Sequence, residues 1–92
     1  MEFEWDPNKA AANLRKHSVS FDEAATVLAN PLSITVSDPD HSQEEDRFIT
    51  VGLSYYRRLL IVVYTERELR IRLISARELT ATERIAYERG NF

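Results

Sequence analysis

The stretch RFITVGLSYYRRLLIVVYTERELRIRLISAR (47–77) decides the fold. It divides into three runs, RFITVGLS (47–54), RLLIVVYTE (58–66) and ELRIRLISAR (68–77), each rich in aliphatic residues and alternating with the period of a strand. The gaps around Ser54 to Arg57 and around Glu66 to Glu68 are short enough for hairpins, so an antiparallel meander is expected.

Outward from the meander, helices and two more strands are predicted. Upstream, LSITV (32–36) alternates as a strand and SDPDHSQEED (37–46) is a polar loop. Before that, SFDEAATVLANP (20–31) offers Ser20 and Glu23 as a capping box and Asn30-Pro31 as a stop. NKAAANLRKH (8–17) is built of helix formers, with Asp6 as cap and Pro7 at the first helical position. Its basic end, Arg15-Lys16-His17, suits the negative pole of the helix dipole. Phe3 and Trp5 suggest a short first strand. Downstream, Thr80 and Glu83 form a second capping box that opens a last helix, which Gly90 ends. The expected order is strand, helix, helix, four strands, helix: one small α+β domain over residues 1–92 with a mostly antiparallel sheet.

The 92 residues suffice for one modest core, and 43% hydrophobic with 29% charged residues is ordinary globular composition. No cysteine is present, so disulfides and thiolate chemistry are excluded. The acidic MEFEWDP start lacks an apolar signal region and Leu59 to Val63 is far too short to span a bilayer, so a soluble cytoplasmic protein with no membrane partner is expected. The net charge of −3 hides an asymmetry. Residues 1–46 hold three basic side chains against ten acidic; residues 47–92 hold nine arginines against five glutamates. Arginine's planar fork suits phosphate better than lysine's point charge does.

Side chains alternate across a strand, which sorts the meander into faces. Ile49, Val51 and Leu53, then Leu59, Ile61 and Val63, then Ile71, Leu73 and Ser75 form the aliphatic sets. The opposing sets contain Phe48, Thr50, Arg58, Leu60, Val62, Tyr64, Arg70, Arg72 and Ile74. The aliphatic faces are expected to pack on the first two helices. Arg58, Tyr64, Arg70 and Arg72 would then form a basic surface, partly covered by the last helix, that can seat an RNA backbone. The competing reading pairs Arg70 and Arg72 with glutamates such as Glu66 or Glu68 on a solvated face. Arg47 and Arg77 fall on the aliphatic parity at strand ends, where a bulge could turn them; as structural anchors they would bond Glu44 or Glu45 and the loop before the last helix.

Other chemistries find no support. His17 and His41 are the only histidines, and despite Asp38, Asp40 and Glu44 no ligand spacing is present, so no metal and no cofactor is expected. The only glycines, Gly52 and Gly90, exclude a glycine-rich phosphate loop, and a serine-hydrolase elbow is absent.

Read together, FEWDPNKAAANLRKHSVSFDEA (3–24), DPDHSQEEDRF (38–48), VVYTE (62–66) and IRLISARELTATERIAYE (71–88) resemble the BrnT family of type II toxins. The resemblance implies a fold similar to RelE-type ribonucleases and a BrnA-like antitoxin carrying a ribbon-helix-helix DNA-binding part. It also implies a metal-independent endoribonuclease in which the ribose 2′-hydroxyl attacks the adjacent phosphate. Arg47, Arg72, Arg77 and Tyr87 occupy family-motif positions, as do Lys16 and His17, whose place at a helix end admits structural and catalytic roles equally; Arg70 follows from parity alone. Arg72, Arg70, Arg47, Arg77, Tyr64 and His17 are the catalytic candidates, and Arg58, Lys16 and Tyr87 the RNA-binding ones. Three departures stand out: Ser18 replaces an expected glycine, and Glu78 and Leu79 replace an expected lysine and alanine.

Two functions compete. One is an RNA-cleaving toxin held by a small antitoxin. The other is a non-catalytic antitoxin-binding module that acts as co-repressor at promoter DNA, touching DNA only through its partner and using the acidic first half as the contact. An independent small-molecule or metal enzyme has no motif behind it.

Overall fold

The structure is a computed structural model that describes residues 2–38 and 46–92. Its elements are β1 (Glu2–Glu4), α1 (Pro7–His17), α2 (Phe21–Ala29), β2 (Ile34–Ser37), β3 (Arg47–Leu53), β4 (Leu59–Arg67), β5 (Arg70–Glu78) and α3 (Ala81–Glu88). The strands form one five-stranded sheet in the order β1-β5-β4-β3-β2. Strands β2 to β5 run antiparallel, and β1 returns to pair in parallel with β5, placing Glu2 beside Arg70 and Glu4 beside Arg72. The α+β class and the antiparallel meander stand as expected.

Local chemistry sets the helix ends. Asp6 accepts from the Asn8 amide at 2.8 Å and Pro7 begins α1. Ser18 closes it with φ 58°, a left-handed conformation that suits glycine, and its amide returns to the Leu14 carbonyl. Thr80 and Glu83 form the complete capping box of α3. At α2 only half the predicted box exists: Ser20 Oγ accepts from the Glu23 amide, but the Glu23 carboxylate turns inward to Ser54 and Arg58. Gly52 is required by close approach, since a Cβ there would meet Ser33 Oγ at 2.1 Å.

For β3 and β4 the helices lie on the faces opposite to those expected, whereas Ile71 and Leu73 of β5 pack on the first two helices as expected. The α1–α2 pair covers Leu60, Val62 and Tyr64 together with Ile71, Leu73 and Ala76, and adds Val19, Phe21, Ala24 and Val27 to the main core. The aliphatic set Ile49, Val51, Leu59 and Ile61 packs instead under Leu79 and Tyr87, at the start and end of α3. A bulge divides the β5 set between the two faces. Val63 pairs with Ser75 but Tyr64 pairs with Leu73, so Ile74 has no partner and strand parity reverses there. Ile71 and Leu73 therefore share a face with Tyr64, while Ser75 and Arg77 share one with Val63 and Ile61.

Candidate functional site

Leu79 and Tyr87 pack over the sheet face under α3 at Ile49, Val51, Leu59 and Ile61. Farther along the strands, the register aligns Arg47, Thr65, Arg72 and Glu4 across β3, β4, β5 and β1. Two strand spacings separate the backbones of Arg47 and Arg72 by about 10 Å, so their side chains can converge over Thr65. The next row on the same face holds Arg67, Arg70 and Glu2. The reversed parity brings Arg77 to this face as well, opposite Ile61.

Each arginine is held differently. Arg72 Nη1 donates to Glu4 Oε2 at 2.8 Å, leaving its remaining donors uncommitted to side chains among the described residues. Arg70, more exposed, donates through Nε to Glu2 Oε2 at 3.1 Å, with Nη1 3.8 Å from Glu4. The partners are thus β1 glutamates rather than Glu66 or Glu68. Arg47 makes no side-chain ion pair among the described residues; the proposed partners Glu44 and Glu45, and His41 with its acidic neighbours, lie outside those residues. Thr65 Oγ1, fully buried between Arg47 and Arg72, has no hydrogen-bond partner among the described residues.

Arg77 is locked. Its Nη1 and Nη2 donate to Glu83 Oε1 and Oε2 at 2.8 and 3.0 Å, and Nη1 also reaches the Glu78 carbonyl at 3.1 Å. This fork, together with the Thr80 amide, holds the Glu83 carboxyl down at a pKa of about 2 and raises that of Arg77. Beside it opens a pocket of about 400 Å³ with Ile49, Ile61 and Val63 as floor. His17, Ser75, Arg77 and Glu83 supply its polar lining and Phe92 its aromatic wall. Tyr87 supports that wall, its ring meeting Phe92 edge-on at 6.4 Å.

His17 reaches this face because of a residue the sequence did not mark. β1 pairs with β5 only as far as Arg72, leaving the outer edge of β5 bare beyond it. The buried Asn13 side chain occupies that edge: Nδ2 donates to the Ala76 carbonyl at 2.9 Å and Oδ1 accepts from the Ala76 amide at 3.1 Å. The same Nδ2 donates to Val19 O. This clamp fixes the end of α1 next to the Ile74 bulge, where the exposed Lys16 shares a shallow groove with His17 and Ser75.

Two candidates lie on the other face. Tyr64 is 6% exposed, stacked on Phe48 at 5.6 Å, with its hydroxyl 3.4 Å from Thr50 Oγ1. Arg58 binds Glu23 through both Nε and Nη2, and Nη2 also donates to the Ser18 carbonyl at 2.9 Å. Glu23 is 4% exposed, and the Arg58 contact lowers its pKa despite burial. The structure therefore separates Tyr64 and Arg58 from the arginine row. Of the departures noted, Leu79 is buried in the α3 core, and Glu78 lies 3.9 Å from Arg58, directed away from Arg77's face. Among the described residues no three His, Asp or Glu side chains gather as metal ligands, and no helix is long and apolar enough to cross a membrane.

Comparison with known proteins agrees with this architecture. The crystal structure of the ribonuclease toxin BrnT from Brucella abortus is similar, with a TM-score of 0.65 and 19% identity over 87% of this chain and 97% of that one. At that identity the likeness concerns the fold. No curated protein sequence matches. The model of the family described as "Ribonuclease toxin, BrnT, of type II toxin-antitoxin system" matches residues 5–83. The chain belongs to the BrnT family of type II ribonuclease toxins.

Proposed function

We propose that this protein is an endoribonuclease that cleaves RNA without a metal ion, and that Arg47 and Arg72 hold the scissile phosphate. The observation that carries the proposal is the registered row Arg47–Thr65–Arg72, which places two partly exposed arginines on one face of the sheet. Guanidinium groups converging from two strands suit the phosphate of a single strand and the extra negative charge of a phosphorane.

In this reaction the ribose 2′-oxygen bonds to phosphorus as its proton passes to a base. The bond from phosphorus to the 5′-oxygen breaks, and that oxygen takes up a proton, leaving a 2′,3′-cyclic phosphate and a 5′-hydroxyl. His17, at the edge of the same face, is the side chain we assign to proton transfer. Arg70 and Lys16 extend the cationic track along the strand. Glu4 competes with phosphate for Arg72, so binding has to displace or share that contact.

A type II toxin has an antitoxin, and we infer a BrnA-like ribbon-helix-helix protein acting with it in the cytoplasm. Expression of the chain alone is expected to arrest growth, and purified protein to cut single-stranded RNA in the presence of a chelator. Arg72→Ala should abolish both effects while remaining folded by circular dichroism. Intact RNA and normal growth with folded wild-type protein would leave the co-repressor reading, in which the chain binds its antitoxin but cuts nothing.

A further inference from the structure

We propose that the pocket between the sheet and Phe92 receives one nucleobase of the RNA whose phosphate sits on Arg47 and Arg72, so that base identity there sets cleavage preference. The inference rests on the ribonuclease reading and adds to it a specificity site. Several observations converge. The pocket, about 400 Å³, is large enough for a flat heterocycle and combines an aliphatic floor with an aromatic wall. Phe92 remains 38% exposed, so its ring is accessible, and Tyr87 braces it from behind. Unstacked RNA bases are commonly held on aromatic or guanidinium surfaces, and Arg77 and Phe92 both line this cavity.

Charge and position fit the same occupant. Arg77 is neutralised by Glu83 in a bidentate pair, so it is poorly suited to grip a phosphate, unlike Arg47 and Arg72. Held rigidly, the pair instead presents hydrogen-bonding edges together with Ser75. Ser75 and Val63 lie next along this face from the Thr65–Arg72 pair, one strand repeat of about 7 Å away. That is the reach from a backbone phosphate to the base of an adjoining nucleotide. A bilayer or an apolar helix would have no use for the Arg77–Glu83 edge inside such a small cavity.

The test uses RNA oligonucleotides identical except for one base on either side of the cleaved bond, with wild type, Phe92→Ala and the pocket-filling Ser75→Leu. The wild type is expected to prefer one base at one of these positions. Phe92→Ala should lower kcat/KM for the preferred base about tenfold, the loss of one base–aromatic stack, and leave the disfavoured bases nearly unchanged. Ser75→Leu should flatten the preference likewise, whereas Arg72→Ala should lower cleavage of all sequences alike. A base preference that survives intact in both pocket variants overturns the proposal while leaving the ribonuclease reading in place. If wild type cuts nothing, that reading falls and NMR titration with the common ribonucleosides decides the pocket. Perturbed Phe92 and His17 signals support a base site; undisturbed ones overturn it.

Discussion

Single residues carry much of the contrast between structure and function here. Ser18 adopts φ 58° where a glycine would be unstrained, and only its backbone is used, as donor to Leu14 and acceptor from Arg58. Ser18→Gly should therefore raise stability by about 1 kcal/mol, less the chain entropy that glycine adds to the unfolded state. A shift of the urea midpoint to higher concentration is the expected result, and no shift or a lower midpoint would contradict the strain. Glu83 offers a pH test. Its carboxyl is lowered from 4.5 to about 2, chiefly by Arg77, so its contribution is complete above 4.5 and is lost as pH falls toward 2. Glu83→Gln should cost about 1–2 kcal/mol at neutral pH. Denaturation across the acid range should show the gap between wild type and variant closing between pH 4.5 and 2; a constant gap would mean that the ion pair is not its source.

At the scale of elements, alternation and capping chemistry sufficed to locate the strands and helices. They did not reveal which face each helix covers. Parity within β5 holds only as far as Leu73, and the extra residue Ile74 reverses it, which no composition rule marks. That reversal brought Arg77 to the arginine face, while the register of β4 against β5 left Tyr64 and Arg58 on the opposite face. Nor did the sequence show that Asn13, in an alanine-rich helix, stands in for a missing strand, or that Glu2 and Glu4 meet Arg70 and Arg72, since parallel pairing joins opposite ends of the chain. Arg58 tests the distinction between a ligand-binding and a structural arginine. It links the β3–β4 turn to α2 through a carboxylate buried at 4% exposure, so Arg58→Ala strands that charge and should cost about 3 kcal/mol or more. Arg72→Ala breaks a pair in which both side chains keep about 30% exposure, so neither charge is left fully buried, and should cost about 1 kcal/mol or less. Thermal melts of the two variants in parallel check this; equal losses would mean that Arg58 bears no special structural load.

For the whole molecule, a net charge of −3 sets a problem for any RNA-binding reading, because the long-range field does not favour a polyanion. The fold does not resolve it by separating an acidic half from a basic one. Glu2, Glu4 and Glu23 are each committed to an arginine of the second half. Affinity must then come from a few short-range contacts on the arginine face, and their number can be measured. For single strands, log affinity falls with log salt by about 0.7 per phosphate neutralised, so a site built on Arg47, Arg70 and Arg72 predicts a slope of about −2. Each alanine substitution in that set should flatten the slope by about 0.7, whereas Tyr64→Phe, in the core, should leave it alone. The measurement is fluorescence anisotropy of an RNA carrying 2′-deoxyribose at the cleavage position, titrated across a salt series. A slope unchanged by Arg47→Ala and Arg72→Ala would place the phosphates elsewhere on the molecule.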